Sequence, residues 1–336
     1  MAKLIIYNKE KINSLFTSRE HEDKWGQHIL HIQDENSWKE ELQNSKASYV
    51  IVGLPEDIGI KANLGKSGAD KTFDYAISAL LSIQQNKFQD ASKVLLLGHV
   101  DFSEEMKKSE NADILGLRSL CAEIDDVIFP IVQTIIASGK KLIAIGGGHN
   151  NSYPLIKGSS LALGSALNCI NIDAHTDYRI KEGRHSGNGF RYAKSENYLH
   201  KYGIFGLHEN YNSDAVLSEI DNDVNIQYLS FEDIAIRKRI PMELALNSIL
   251  IFLQKQACGI ELDLDCIAGV PSSAQTNTGW NTTEARAILH QCSTLLSSVY
   301  LHITEGSVGL ANEQDKNTLG KFISYLVSDY VKSSGA

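Results

Sequence analysis

Proline and cysteine are scarce in this sequence, with five of each in 336 residues. So few prolines, alongside 43% hydrophobic and 22% charged residues, exclude a collagen-like, Pro-rich or disordered chain. The cysteines (Cys121, Cys169, Cys258, Cys266 and Cys292) show no CxxC spacing. An odd count in or near apolar runs reads as reduced, buried thiols rather than a disulfide framework. Positive charge is also in deficit, with 32 Lys and Arg against 41 Asp and Glu and a net charge of −9. No basic field is therefore available to hold nucleic acid. No stretch approaches the ~20 apolar residues of a membrane span. The apolar run after Lys3 is far shorter than the roughly 7–15 residues of a secretory leader. These absences leave a soluble, cytoplasmic enzyme acting on a small molecule as the expectation, with neither nucleic acid nor membrane as partner.

Short apolar runs recur along most of the chain: Tyr49–Gly53, Val94–Leu97, Leu142–Ile145, Cys169–Ile172, Gly203–Phe205, Ile226–Leu229, Ile260–Leu264 and Val299–Ile303. Runs of this kind suit strands buried on both faces. Helix-compatible stretches separate them, including Leu120–Ser138, Met242–Ala257 after Pro241, and Thr282–Ser297 with its Thr-Thr-Glu capping signal. Repeated strand-then-helix order predicts a mostly parallel sheet with helices on both faces, an α/β fold. No repeat or linker divides the chain. Residues 1–48 are expected to pack as an N-terminal extension on a single catalytic domain spanning 49–336. Tyr178–Asn197, rich in Gly, Arg, Lys and Ser, reads as a loop longer than a connection needs.

Three strand ends carry metal-binding side chains. Ile145-Gly-Gly-Gly-His149-Asn150 follows one run, Asp173-Ala-His175-Thr-Asp177 follows a second, and Glu261-Leu-Asp263-Leu-Asp265 closes a third. Ligands of open α/β sheets bind beyond the carboxyl ends of the strands, so three such ends can converge. Strand alternation sends Asp263 and Asp265 to the same side. Two histidines and four aspartates then face one crevice. Four carboxylates alone would raise one another's pKa values, whereas two divalent cations balance them. Oxygen and imidazole ligands without thiolate favour Mn²⁺, although Zn²⁺, Co²⁺ and Ni²⁺ are not excluded by affinity order. Two metals roughly 3.5–4 Å apart can lower the pKa of a shared water toward neutrality. Each motif alone is open to a structural explanation; the three together point to a dinuclear centre.

GGGHN, DAHTD and ELDLD, in this order and wide spacing, resemble the ureohydrolases: arginase, agmatinase and formimidoylglutamase. The resemblance runs from about Val52 to the C-terminus. It implies a three-layer α/β/α domain around a parallel sheet of about eight strands, and two Mn²⁺ per subunit. By motif, His149, Asp173, Asp177 and Asp263 would hold one ion, and Asp173, His175, Asp263 and Asp265 the other. His185-Ser186-Gly-Asn188-Gly-Phe-Arg191 is similar to the HSGTPFR loop of formimidoylglutamases, whose His lies at the active-site mouth. YLHITEG places Glu305 where the family has the carboxylate that pairs with the substrate's amidinium or guanidinium. Asn188-Gly189 stand for Thr-Pro, Gly-Ser follow Glu305, Cys266-Ile-Ala-Gly follow the DxD motif, and Glu261 stands where the family often has Ser or Thr. None of these departures removes a metal ligand.

Arg179, Lys181, Arg184 and Arg191 follow DAHTD with one acid, Glu182, between them. Such a loop suits an anionic substrate, and Arg179, Arg184, Ser186, Asn188, Arg191 and Glu305 are the expected substrate contacts. N-formimidoyl-L-glutamate has two carboxylates and a cationic head, arginine has one carboxylate, and agmatine has none. The expected reaction is hydrolysis of an amidine or guanidine C–N bond, giving glutamate and formamide in histidine degradation. Arginase or agmatinase activity is the alternative; a one-metal amidohydrolase and a non-catalytic family member are disfavoured by the complete ligand set. Asp177 is the expected proton donor to the leaving amine, Glu305 the substrate anchor, and His185, with an ordinary pKa near ~6.5, a proton relay. A homo-oligomer is expected.

Overall fold

The computed structural model describes residues 4–333. Nine strands among these residues form one sheet: β1 (Leu4–Ile6), β2 (Tyr49–Gly53), β3 (Val94–Val100), β4 (Lys141–Ile145), β5 (Leu167–Ile172), β6 (Leu199–Leu207), β7 (Ile226–Ser230), β8 (Ala257–Asp263) and β9 (Ser297–Thr304). The order across the sheet is β1-β3-β2-β4-β9-β8-β5-β6-β7. All pairings are parallel except β1 with β3, where Leu4 faces Val100. The eight runs expected from the sequence become β2 to β9. The ninth strand is Leu4–Ile6, too short to show alternation, and it exists because β3 offers it an edge to pair with.

Side chains alternate between the two faces, and each face has its own core. Ile143, Ile145, Ile170 and Ile172 pack with the helices Thr72–Leu81, Met242–Leu253, Thr282–Leu295 and Glu313–Ser333. Leu142, Ala144 and Cys169 pack on the opposite side with Ile114–Ala137, Ser152–Leu163 and Gly189–Ser195. This is a helix–sheet–helix sandwich, the arrangement that parallel strands require when both faces are buried. Residues before β2 join it intimately: Ile12, Trp25 and Leu42 are fully buried.

One expectation is corrected here. Tyr178–Asn197 is not loop throughout, since Ser186–Asn188 form a 3₁₀ turn and Gly189–Ser195 an α-helix. Phe190 and Ala193 anchor that helix in the core, a pair of apolar positions too short to show helical periodicity among glycines and cations.

The order β4-β9-β8-β5 puts the four chemically loaded strands side by side. Ile145 is in register with Ile303, Asp263 with Thr304, and Ile172 with Leu262. Their carboxyl ends therefore finish at one level.

Candidate metal centre

His149 follows β4 after three glycines, two of which have positive φ (Gly146 at 93° and Gly147 at 74°). A Cβ on Gly147 would lie 2.8 Å from the Leu54 carbonyl oxygen, so the turn requires glycine there. Asp173, His175 and Asp177 follow β5, Asp263 ends β8, and Asp265 lies in the 3₁₀ turn Leu264–Cys266.

His149 Nδ1 lies 3.2 Å from Asp173 Oδ2, 2.8 Å from Asp177 Oδ2 and 3.0 Å from Asp263 Oδ2. His175 Nδ1 lies 3.4 Å from Asp173 Oδ1 and 3.2 Å from Asp265 Oδ2. Asp173 thus sends one oxygen into each group. The two groups, His149–Asp173–Asp177–Asp263 and Asp173–His175–Asp265, each have the spacing to hold a metal ion. Only Asp173 belongs to both. His149, Asp173, Asp263 and Asp265 are buried, the Asp177 side chain is 12% exposed, and that of His175, at 28%, marks the open side of the crevice.

The electrostatics show what the cluster lacks. Burial and the charges of Asp265 and Asp173 push the Asp263 carboxyl well above its usual range. Burial and Asp173 raise Asp177 as well. Burial opposes protonation of both histidines, but surrounding carboxylates, Asp177 at His149 and Asp265 at His175, override it and raise both far above ordinary imidazole values. Such a set is starved of positive charge. His149 Nδ1 and Asp265 Oδ1 are buried without hydrogen-bond partners. Buried ligand atoms without partners, set among carboxylates, fit two divalent cations.

Further residues support this cluster: Glu56 and Asn171, missed in the sequence, and Glu305, expected from it. Glu56, fully buried, accepts the Gly148 amide at 3.1 Å and the Asn150 and Asn151 side chains at 3.2 and 2.8 Å through one oxygen. Its other oxygen accepts the Ile58 amide at 2.7 Å, so it clamps the glycine turn to the end of β2. The only signal was a Pro-Glu-Asp step after an apolar run. Asn171 donates to Asp173 Oδ2 at 2.9 Å and fixes that carboxylate's orientation. Glu305 follows β9 with φ of 62°, and its Oε1 accepts the His149 amide at 2.9 Å. Burial, then the charge of Asp265, push Glu305 up to about 8.

The expected substrate contacts divide. Arg184 is buried; its Nε donates to Asp125 at 2.7 Å, Nη1 to Asn188 Oδ1 at 2.7 Å and Nη2 to the Asn150 carbonyl at 2.8 Å. Asn188 also accepts the His185 amide and donates to the Gly183 carbonyl, so both residues brace the loop from within. Arg191 faces away, gripping Glu219 with both terminal nitrogens and stacking 4.4 Å over Tyr178. Loop cations read as substrate ligands in the sequence are here engaged by acids from distant segments, which sequence proximity does not show. Arg179 is half exposed, bonded to Asn63 and Glu182, and Asn63 also donates to Ser186. His185 departs from the expectation of an ordinary pKa: burial, then Arg179, lower it to about 4. Its Nδ1 accepts the Gly187 amide at 3.1 Å, which places the proton on Nε2.

Comparison with known proteins fits this geometry. A model of the arginase family matches residues 47–323. This chain belongs to the arginase family. Among curated relatives, the formimidoylglutamase of Hahella chejuensis is 27% identical over 236 residues, covering 67% of this chain and 66% of that one. The chain spans just under two thirds of the length of such relatives. Formimidoylglutamase from Bacillus subtilis superposes with a TM-score of 0.74 at 19% identity, over 94% of this chain and 93% of its own. Manganese-bound formiminoglutamase from Trypanosoma cruzi gives 0.72 at 20% identity, over 92% and 99%. Both share the arginase-family fold described above.

Proposed function

We propose that this arginase-family protein is a manganese-dependent hydrolase that converts N-formimidoyl-L-glutamate to L-glutamate and formamide. The observation that carries the reading is the division of Asp173 between two ligand groups, in a chain whose curated relatives are formimidoylglutamases. His149, Asp173, Asp177 and Asp263 would hold one Mn²⁺, and Asp173, His175 and Asp265 the other, joined by Asp263 as the family motif implies. Two such ions supply Lewis acidity and an activated water at neutral pH.

The chain's own residues supply the rest. Glu305 engages one oxygen with the His149 amide, leaving the other to face a cationic formimidoyl head. A cation placed there favours the ionised carboxylate that burial otherwise disfavours. Asp177, strained at φ of 43°, is aimed at the cluster and is the proposed donor of a proton to the leaving amine. Arg179, half exposed, and Ser186, linked to it through Asn63, are the proposed contacts for substrate carboxylate. His185 acts as a neutral hydrogen-bonding group there, not as a titrating relay.

We place the protein in the cytoplasm, a reducing compartment that accords with five free, buried cysteines, and as a homo-oligomer, which sedimentation of the loaded protein tests. No helix among the described residues is long and apolar enough to cross a membrane. The function itself is tested with Mn²⁺-loaded protein and formimidoylglutamate, arginine and agmatine side by side, measuring formamide and urea separately. Formamide from the first substrate is the expected result. Urea from arginine as the main product would overturn the substrate while keeping the centre. Arg179→Met should raise KM for formimidoylglutamate more than for arginine.

A further inference from the structure

Behind His149, on the side away from the aspartates, lies a second polar cluster that the reaction does not use. Glu261 on β8 is in register with His302 on β9, and Gly259 with Tyr300. Glu261, Tyr300 and His302 are all completely buried. Tyr300 donates to Glu261 Oε1 at 2.7 Å, and His302 Nδ1 lies 2.6 Å from Glu261 Oε2. The other His302 nitrogen faces the Gly146 carbonyl at 3.2 Å, at the root of the turn that carries His149. Space for this arrangement is built into the strand: a Cβ on Gly259 would lie 2.4 Å from the Tyr300 hydroxyl.

A carboxylate at this depth is costly unless its neighbours compensate it. Tyr300 and His302 satisfy it from one side. On the other side, Glu261 Oε2 is 3.5 Å from His149 Nε2, a buried nitrogen that has no hydrogen-bond partner. A histidine that ligates a metal through one nitrogen characteristically gives the proton on the other to a carboxylate or carbonyl, which fixes the tautomer and ring orientation.

We propose that Glu261 is a positioning residue that takes the Nε2 proton of His149 and so presents Nδ1 to Asp173, Asp177 and Asp263. This inference rests on the reading of His149 as a metal ligand. It gives the buried Glu261–His302–Tyr300 set a role at the back of His149. His149, Glu261 and His302 could also hold a third ion among them. The 2.6 Å contact and the bond to Gly146 instead engage both nitrogens of His302 in hydrogen bonding.

The test is Mn²⁺ binding, followed by calorimetry and metal analysis, to the full-length parent and to Glu261→Gln, with thermal melting of the metal-free proteins as the folding control. The parent should bind two equivalents. Glu261→Gln should weaken one of them about 10- to 100-fold, leaving the other, held by His175 and Asp265, within about threefold. If Glu261→Gln does not fold, Glu261→Gln/His302→Gln removes both members of the pair together and should show the same one-sided loss. A parent that binds no Mn²⁺ would overturn the metal centre itself. Two unaltered affinities in a folded variant, equal weakening of both ions, or three equivalents in the parent would each overturn the positioning role and leave the centre standing.

Discussion

The His149 amide donates to Glu305 Oε1 at 2.9 Å, tying the end of β4 to the end of β9 across 156 residues of sequence. One bond thereby sets the distance between a candidate metal ligand and the carboxylate proposed to grip the substrate.

Glu305→Gln separates these two duties. The amide oxygen of Gln still accepts the His149 amide, so the turn and the metal content should be unchanged. What disappears is the charge facing the substrate's cation, and a charge-assisted hydrogen bond is worth ~1.5–3 kcal/mol. The expected result is about a ten- to hundred-fold fall in kcat/KM at constant Mn²⁺ stoichiometry. Unaltered kinetics would place Glu305 outside the substrate site.

Asp173 and Asp265 should behave differently when each is replaced by Asn. Asp173 contributes an oxygen to both ligand groups, whereas Asp265 contributes to the His175 group alone. Equilibrium dialysis of Asp173→Asn should therefore show both Mn²⁺ equivalents weakened, and Asp265→Asn only one. Removing a negative ligand also leaves the remaining donors mismatched in charge with the ion. Two full-affinity equivalents in Asp173→Asn would contradict the bridging assignment.

Arg184 and Arg191 lie close in sequence but should differ in their effect on stability. Arg184→Ala strands a buried carboxylate, because Asp125 loses both of its guanidinium bonds; burial already holds that acid up at about 6 against the opposing Arg184 charge. Breaking a buried pair on one side costs ~3–5 kcal/mol. Arg191 pairs with Glu219, whose side chain is 49% exposed, and such pairs contribute about 1 kcal/mol or less. Urea unfolding of the two alanine variants checks the difference. Similar losses in both would mean that Asp125 is reached by water or by another donor.

The residues of the candidate metal centre were readable in the sequence because each motif is local: three or fewer residues separate the side chains that leave the same strand end. Parallel strands then bring those ends to one level, a consequence of the strand–helix alternation alone. Glu56 was not readable, since the partners that tie it to the glycine turn lie 92 to 95 residues away and the Pro-Glu-Asp step does not point to them. The same holds for Arg184, whose role is set by Asp125, 59 residues earlier. Leu4–Ile6 becomes a strand only through an edge formed by residues 98–100. Long-range pairing decided these roles, and a single sequence does not display it.

His185 gives a pH dependence whose sign can be worked out. Its side chain is buried with Nδ1 on the Gly187 amide, and Arg179, Arg118 and Arg184 oppose a further proton while Glu182, 3.4 Å from Nε2, favours one. The folded value near 4 lies below the ~6.5 of an unfolded chain. Between these values the unfolded state binds the proton and the folded state does not. The neutral ring thus contributes its full stability above about pH 6.5, and that contribution is lost as pH falls toward 4. Over that window the loss is about 2–3 kcal/mol. His149 and His175 titrate in the opposite sense without metal, so the comparison must be made in metal-free protein, where both remain the same in parent and variant. Urea unfolding at pH 7.5 and 4.5 should show the parent losing about 2–3 kcal/mol more than His185→Gln across the interval. Equal losses would mean that the folded ring takes up its proton near the ordinary value, and a relay through a charged His185 would regain its footing.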